Sequence, residues 1–291
     1  MGEPMMKAGK STQFKKQDHN QALNEFFKGC SDFRKKDTFI EAMKFVARFT
    51  NYAPINAFLI YTQRPTATFI ASRSRWLRQF GRRLKASARP IVILAPMSPV
   101  AFVYDLEDTD GKRIPEYYDE PYKVTGNLAT AKWNNTFLHC IEVDNFRVIY
   151  TEKSRLNAAC VSKRRGDDYL IEINKDFEDE RYKYSFLVHE LAHIYCGHLG
   201  ADEPREKKKQ RWSDRRHLTR NQWEIEAETV SYLVCTRCGL ETKAMEYVAG
   251  YLKNAEEDLS KISIKIILDA ARTIEDMAGY QSKNSLHGSL F

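Results

Sequence analysis

Nowhere in its 291 residues does this chain carry the run of about 18 apolar residues that a membrane-spanning helix requires, so no membrane partner is expected. Its first stretch, MGEPMMKAGKSTQFKKQDHN, lacks an apolar segment of the kind a secretory signal needs. Met6 stands where N-myristoylation of Gly2 would call for Ser or Thr. Six cysteines fall at irregular spacing. Without an export signal they are expected as reduced thiols in the cytoplasm. Cys235 and Cys238 form a CxxC, but no second pair exists to complete a four-cysteine zinc site. On one helix they read as small buried apolar residues. Internal repeats are absent. Most telling is a local lack of negative charge: between Glu41 and Asp105 there is no Asp or Glu, while Lys44, Arg48, Arg64, Arg73, Arg75, Arg78, Arg82, Arg83, Lys85 and Arg89 all fall in that interval. Such a run repels itself and points to a polyanionic partner.

What is present suits packed cores, with 43% hydrophobic and 12% aromatic residues, and the length suits two medium domains. Residues 1–17 read as a basic tail. Helical spacing follows: Leu23, Phe26 and Phe27, then Phe39, Ile40, Met43, Phe45 and Val46. A short helix in NYAPINAFLIYTQRP is stopped at Arg64-Pro65, and SRSRWLRQFGRRL is a basic helix broken near Gly81. PIVILAPM and AFVYDL read as strands. The turn-rich DTDGKRIPEYYDEPYKVTGN places a boundary near residue 125. Beyond it TFLHCIEV, FRVIYTE, NAACVS and DYLIEIN read as strands, Phe177–Gly197 as a long helix, Asn221–Arg237 as another, and SIKIILDAARTIEDM as a closing amphipathic helix.

The chemistry concentrates in SFLVHELAHIYCGHLG. His189 and His193, four residues apart, share one helical face about one turn (5.4 Å) from each other. Two neutral imidazoles so placed reach one Zn²⁺. Glu190, beside the first histidine, is positioned as general base toward a water acidified by that ion, the HExxH arrangement. Unpaired polar side chains in so apolar a helix would be costly to bury, and a metal satisfies them together. His198 stands five residues after His193, about 140° round a continuing helix, so it is expected beside the ligands rather than among them. A third ligand is expected from EIEAETVSYLV. Glu224 and Glu228 share a face, which allows one carboxylate on the metal and one behind a ligand histidine; Glu226 remains possible on geometry alone.

HELAH, the following Gly-His and the ExxxE pattern resemble the gluzincin arrangement of ImmA/IrrE-type metallopeptidases and of the C-terminal domain of ArdC-like antirestriction proteins. The resemblance implies Zn²⁺ on His189, His193 and Glu224, with Glu228 supporting a histidine. In the basic half, NAFLIYTQRP, ATFIAS, Trp76, Gly81-Arg82-Arg83, ILAPM and VYDLEDTDG resemble the single-stranded-DNA-binding domain of the same family.

The expectation is an α+β protein. A tail over 1–17 precedes a basic α/β single-stranded-DNA-binding domain over 18–125 and a linker over 126–144. A zincin-like metallopeptidase domain then spans 145–280, ahead of a tail over 281–291. The DNA contacts expected are Arg64, Arg73, Arg75, Trp76, Arg78, Arg82, Arg83, Lys85 and Arg89: arginines meet phosphates while exposed aromatics stack on bases. Phe58, Tyr61, Phe69 and Phe80 join Trp76 as aromatics that suit either stacking or a core. The expected activity is hydrolysis of peptide bonds in an unidentified protein or peptide, in the service of antirestriction or mobile-element protection.

Overall fold

Phe39, Ala42, Met43 and Val46 recur at i, i+3, i+4 and i+7 and are fully buried, so Lys36–Arg48 folds as helix α1 with one face inward. The computed structural model describes residues 31–95, 100–112, 130–152, 158–164, 168–177, 179–202, 211–242, 244–252 and 255–279. The two expected tails, the expected boundary near 125 and the helical spacing at Leu23 to Phe27 lie outside the described residues.

Helix α2, Pro54–Gln63, opens on a proline, whose missing N–H costs nothing in a first turn, and stops before Arg64-Pro65 as expected. After strand β1 (Ile70–Ala71), helix α3 (Arg73–Phe80) is capped by the Ser72 hydroxyl, which accepts from Arg75 N–H, and ends at Gly81 with φ +63°. β2 (Arg83–Leu84) is followed by β3 (Ile91–Leu94), β4 (Val100–Asp105) and β5 (Thr109–Asp110). β4 lies between β1 and β3 in an antiparallel sheet, and β2 pairs with β5.

The outer edge of β3 is closed by two side-chain amides of α2. Gln63 exchanges hydrogen bonds of 2.8 and 2.9 Å with the backbone of Val92, and Asn56 does so at 3.0 and 2.9 Å with Leu94. Each amide presents a donor and an acceptor side by side, as a neighbouring strand would.

The second half opens with helix α4, Thr130–Glu142, where the sequence reading had the strand TFLHCIEV. Trp133, Thr136 and Cys140 are its buried positions, a spacing of three and four that buries one helical face; a strand would have turned alternate residues inward. β6 (Arg147–Thr151), β7 (Ala159–Lys163) and β8 (Tyr169–Asn174) follow as expected. They form a sheet in which central β8 runs parallel to β6 and antiparallel to β7. Helices α5 (Glu180–Tyr195), α6 (Arg220–Arg237), α7 (Ala244–Tyr251), α8 (Ala255–Lys261) and α9 (Ile264–Met277) complete the described chain. Among the described residues no helix is long and apolar enough to cross a membrane.

The two halves share a core. One buried cluster runs from Phe39 and Val46 of α1 through Leu187 and Leu191 of α5 to Val230 and Val234 of α6 and Ile267 and Ile274 of α9. Arg237 at the end of α6 reinforces the join, donating to the carbonyls of Val46, Phe49 and Tyr52 at 2.9, 3.0 and 2.7 Å while pairing with Glu275. Helices α1 and α2, assigned from sequence to a DNA-binding domain, therefore share a core with the C-terminal half, while α2 also borders β3. The separate small cluster in the basic half is that of Ala71 and Trp76, with Phe69, Phe80, Leu84, Tyr104 and Leu106 against it.

Candidate metal centre and basic surface

Helix α5 starts where the Asp179 carboxylate accepts from Arg181 N–H at 2.9 Å and ends at a turn in which Gly197 adopts φ +76°. Its inner residues Leu187, Val188, Leu191 and Ile194 are fully buried, which fixes the rotation of the helix and turns His189 and His193 toward α6. Their Nε2 atoms lie 3.2 Å apart. Glu224 of α6 brings Oε2 to 3.5 Å from His189 Nε2 and 3.8 Å from His193 Nε2. Tetrahedral coordination with ligands about 2.0–2.1 Å out separates neighbouring donors by about 3.3 Å, so these three atoms fit around one small divalent ion. Two imidazole nitrogens this close also repel unless a proton or cation lies between them.

Electrostatics agree with that need. Burial alone would lower His189, but hydrogen bonding to Glu224 and the fields of Glu228 and Glu190 outweigh it and raise its pKa. Burial, with the fields of His189, His198 and Arg220, holds His193 well below the usual histidine value. One imidazole thus seeks positive charge while its neighbour refuses a proton. Burial pushes Glu190 up to about 7, against the opposing field of His189. Glu228 sits behind His189, with Oε1 3.6 Å from its Nδ1.

His193 is backed differently. Its Nδ1 lies 2.9 Å from His198 Nδ1, His198 Nε2 lies 2.9 Å from Glu226 Oε2, and the Arg215 guanidinium reaches the same carboxylate oxygen at 2.5 Å. This chain was not legible in full. The spacing put His198 beside the ligands, but Arg215 belongs to a charged loop segment (SDRRH) that carries no pattern of its own. Cys196, His198 and Glu226 also approach one another closely enough to share an ion. There, however, the permanent charge of Arg215 already neutralises the carboxylate, and burial raises the Cys196 thiol well above its ordinary value.

Beside the centre lies a cleft of about 720 Å³ lined by His189, Glu190 and Glu228, with Phe177, Tyr182, Phe186, Leu240 and Tyr247 among its apolar walls. Ala159 at the start of edge strand β7 also lines it, and the Glu190 carboxylate takes a hydrogen bond from the Val161 backbone on that strand. α7, which supplies part of the far wall, was not anticipated from sequence.

The basic half needs correcting in three places. Trp76 is fully buried and its indole N–H donates to Tyr104 O at 3.0 Å, so it offers no face to a base. Arg64 grips Asp108 with two N–H groups, at 2.6 and 3.3 Å. Arg82 donates to Thr109 Oγ1, Thr109 O and Gly111 O at 2.7, 2.8 and 3.0 Å. The countercharge missing from residues 42–104 arrives from just beyond them, at Asp105, Asp108 and Asp110. Phe58 is also fully buried, and Tyr61, Phe69 and Phe80 are partly buried against the two cores. Arg73, Arg75, Arg78, Arg83, Lys85 and Arg89 remain exposed. Among the described residues of this half the aromatic that is exposed is one outside the expected set: Phe102, 54% exposed and paired across the sheet with exposed Val92.

No protein-family model matches this sequence, and no curated protein does so either. Among solved structures the chain is similar to the antirestriction protein ArdC from plasmid R388. With the metal-free form the TM-score is 0.41 at 15% identity, over 79% of this chain and 85% of that one. With the Mn(II)-bound form it is 0.42 at 16%, over 77% and 83%.

Proposed function

We propose that this protein is a divalent-metal-dependent peptide hydrolase whose basic half binds single-stranded DNA. The observation that carries the reading is the convergence of His189, His193 and Glu224 at donor spacing, beside a cleft that His189 and Glu190 line. His189, His193 and Glu224 would hold the ion; two imidazoles and a carboxylate suit zinc, and the same set accepts other divalent ions. When bound, the ion supplies a Lewis acid for a substrate carbonyl and lowers the pKa of a water toward about 7.

The remaining work falls to this chain. Glu190, pushed up to about 7 by burial, takes a proton onto its carboxylate and returns it to the departing amine, a role that asks for a pKa near the working pH. The Val161 N–H steadies the same carboxylate. Glu228 orients His189. Strand β7 offers an edge along which an extended peptide can lie, and Phe177, Tyr182, Phe186 and Tyr247 give the cleft apolar surface for that peptide's side chains.

Arg73, Arg75, Arg78, Arg83, Lys85 and Arg89 would neutralise phosphates, with Phe102 in place of Trp76 as the stacking surface. DNA binding would then bring the hydrolase to DNA-bound proteins, in keeping with the antirestriction role implied by the sequence resemblance.

Glu190→Gln tests the enzyme. The variant should take up metal as the unaltered chain does and lose cleavage of a peptide library by about 10²–10⁴-fold. Equal cleavage by both proteins would end the hydrolytic reading. Metal uptake with no cleavage by either would leave the ion a structural one.

A further inference from the structure

We propose that His198, Glu226 and Arg215 form a positioning relay that presets His193 for the metal, an inference that rests on the reading above. A guanidinium only donates, so Glu226 accepts from Arg215; its other oxygen accepts from Ser263 N–H at 2.7 Å. With the carboxylate an acceptor on both sides, His198 must carry its hydrogen on Nε2 to bond it. With both rings neutral, His198 Nδ1 is then a lone pair, and the 2.9 Å contact to His193 Nδ1 requires the hydrogen on His193. One assignment of neutral rings satisfies every link. It leaves His193 Nε2 as a lone pair on the side facing His189 and Glu224, the tautomer a metal needs.

The relay is also rigid. His198, Glu226 and Arg215 are 1%, 0% and 6% exposed, and the His198 ring stacks on Trp223 with planes 15° apart. It ties His193 to the segment carrying Arg215, to α6 and to Ser263, the residue that caps α9. Among the described residues the group behind His189 is Glu228 at 3.6 Å, so the described geometry of the centre is set chiefly from the His193 side.

The test uses the full chain, with zinc affinity measured by competition against a chromophoric chelator and site geometry read from the Co(II) absorption spectrum. His198→Ala and Glu226→Gln should each weaken zinc binding about 10–100-fold, the usual cost of removing a group behind a ligand histidine, and should alter the cobalt bands at saturating metal. His198→Asn, whose Oδ1 can still accept from His193 Nδ1–H, should recover part of the loss. It also serves if the alanine variant fails to fold, which thermal melting of the metal-free proteins will reveal. A relay without function would give zinc affinities within about twofold of the unaltered chain and unchanged cobalt spectra, and that result overturns the proposal. If the unaltered chain takes up no zinc, the relay and the metal reading fall together. If it binds zinc and the relay variants bind weakly while Glu190→Gln leaves cleavage unchanged, the relay stands and the hydrolase reading alone fails.

Discussion

Gly197 meets two constraints at once. Its φ of +76° lies where a side chain is strained, and a Cβ there would stand 1.9 Å from Ser213 O. Gly197 O also accepts from Arg215 N–H at 2.9 Å, so displacing this turn moves the residue that anchors Glu226. Gly197→Ala should cost more than about 2 kcal/mol, since the left-handed conformation alone costs about 1–2 kcal/mol. Denaturant unfolding will measure that loss, and zinc affinity should fall with it. Asp144 is a second such position. Burial would raise its pKa, but hydrogen bonds from His139, Tyr195 and Arg211 outweigh burial and lower it. A carboxyl held below its unfolded value of about 3.9 stabilises the fold above that pH, and the contribution is lost as pH falls through the folded value. Asp144→Asn should therefore be less stable than the unaltered chain at neutral pH and lose less on acidification. Denaturation midpoints of the two proteins should keep a constant gap from pH 6 to about pH 4 and converge below it; a gap unchanged down to about pH 2 would show that Asp144 contributes nothing to acid sensitivity.

Among the elements, α6 bears the most. It turns Glu224 and Glu228 toward His189 and Glu226 toward His198 and Arg215, and ends at Arg237, which holds carbonyls in and just after the last turn of α1. The Arg237 side chain is 4% exposed and its partner Glu275 19%. Arg237→Met should strand that carboxylate and three carbonyl acceptors at a cost of about 3–5 kcal/mol. Hydrogen exchange should then quicken between Val46 and Tyr52 before it quickens in α5. Elements of this kind differ in how far their sequences announce them. α5, α6 and α9 carry capping residues and apolar spacing that persist over several turns, and their limits fell within a few residues of expectation. TFLHCIEV alternates well enough to pass for a strand; only the inclusion of Trp133 exposes the helical spacing. α7 and α8 are short, and their place is set by packing against α6 and α1. The metal-facing pair was legible because a helix fixes the relation of residues four apart. The relay was not, because Arg215 comes to Glu226 through a turn whose course depends on Gly197.

Over the whole molecule the formal charge is +7, and the fold divides the basic run into two kinds of residue. Arg64 and Arg82 are consumed in holding β4, β5 and the turn between them, so Arg64→Gln or Arg82→Gln should lower stability before it touches any ligand. Arg73, Arg75, Arg78, Arg83, Lys85 and Arg89 face solvent. Binding to a labelled oligonucleotide should weaken with salt by about 0.7 in log K per unit log salt for each phosphate contact, and Arg73→Gln combined with Arg78→Gln should reduce the slope by about 1.4. Phe102→Ala should cost about 1–3 kcal/mol per stacked base without changing the slope. A slope near zero would remove nucleic acid as a partner. The expected two-domain division met its limit at this scale too, because apolar spacing shows that α1 has an inward face but not which neighbour covers it.

Asn56 and Gln63 have a consequence for life at high concentration. The border of a sheet is a template on which other chains can nucleate, and natural proteins protect such borders in several ways. Here two amides occupy the donors and acceptors of Val92 and Leu94, so that flank cannot seed polymerisation while α2 stays docked. Freeing it by Asn56→Ala with Gln63→Ala should shorten the lag before fibrils form, even if the folded protein is otherwise little changed.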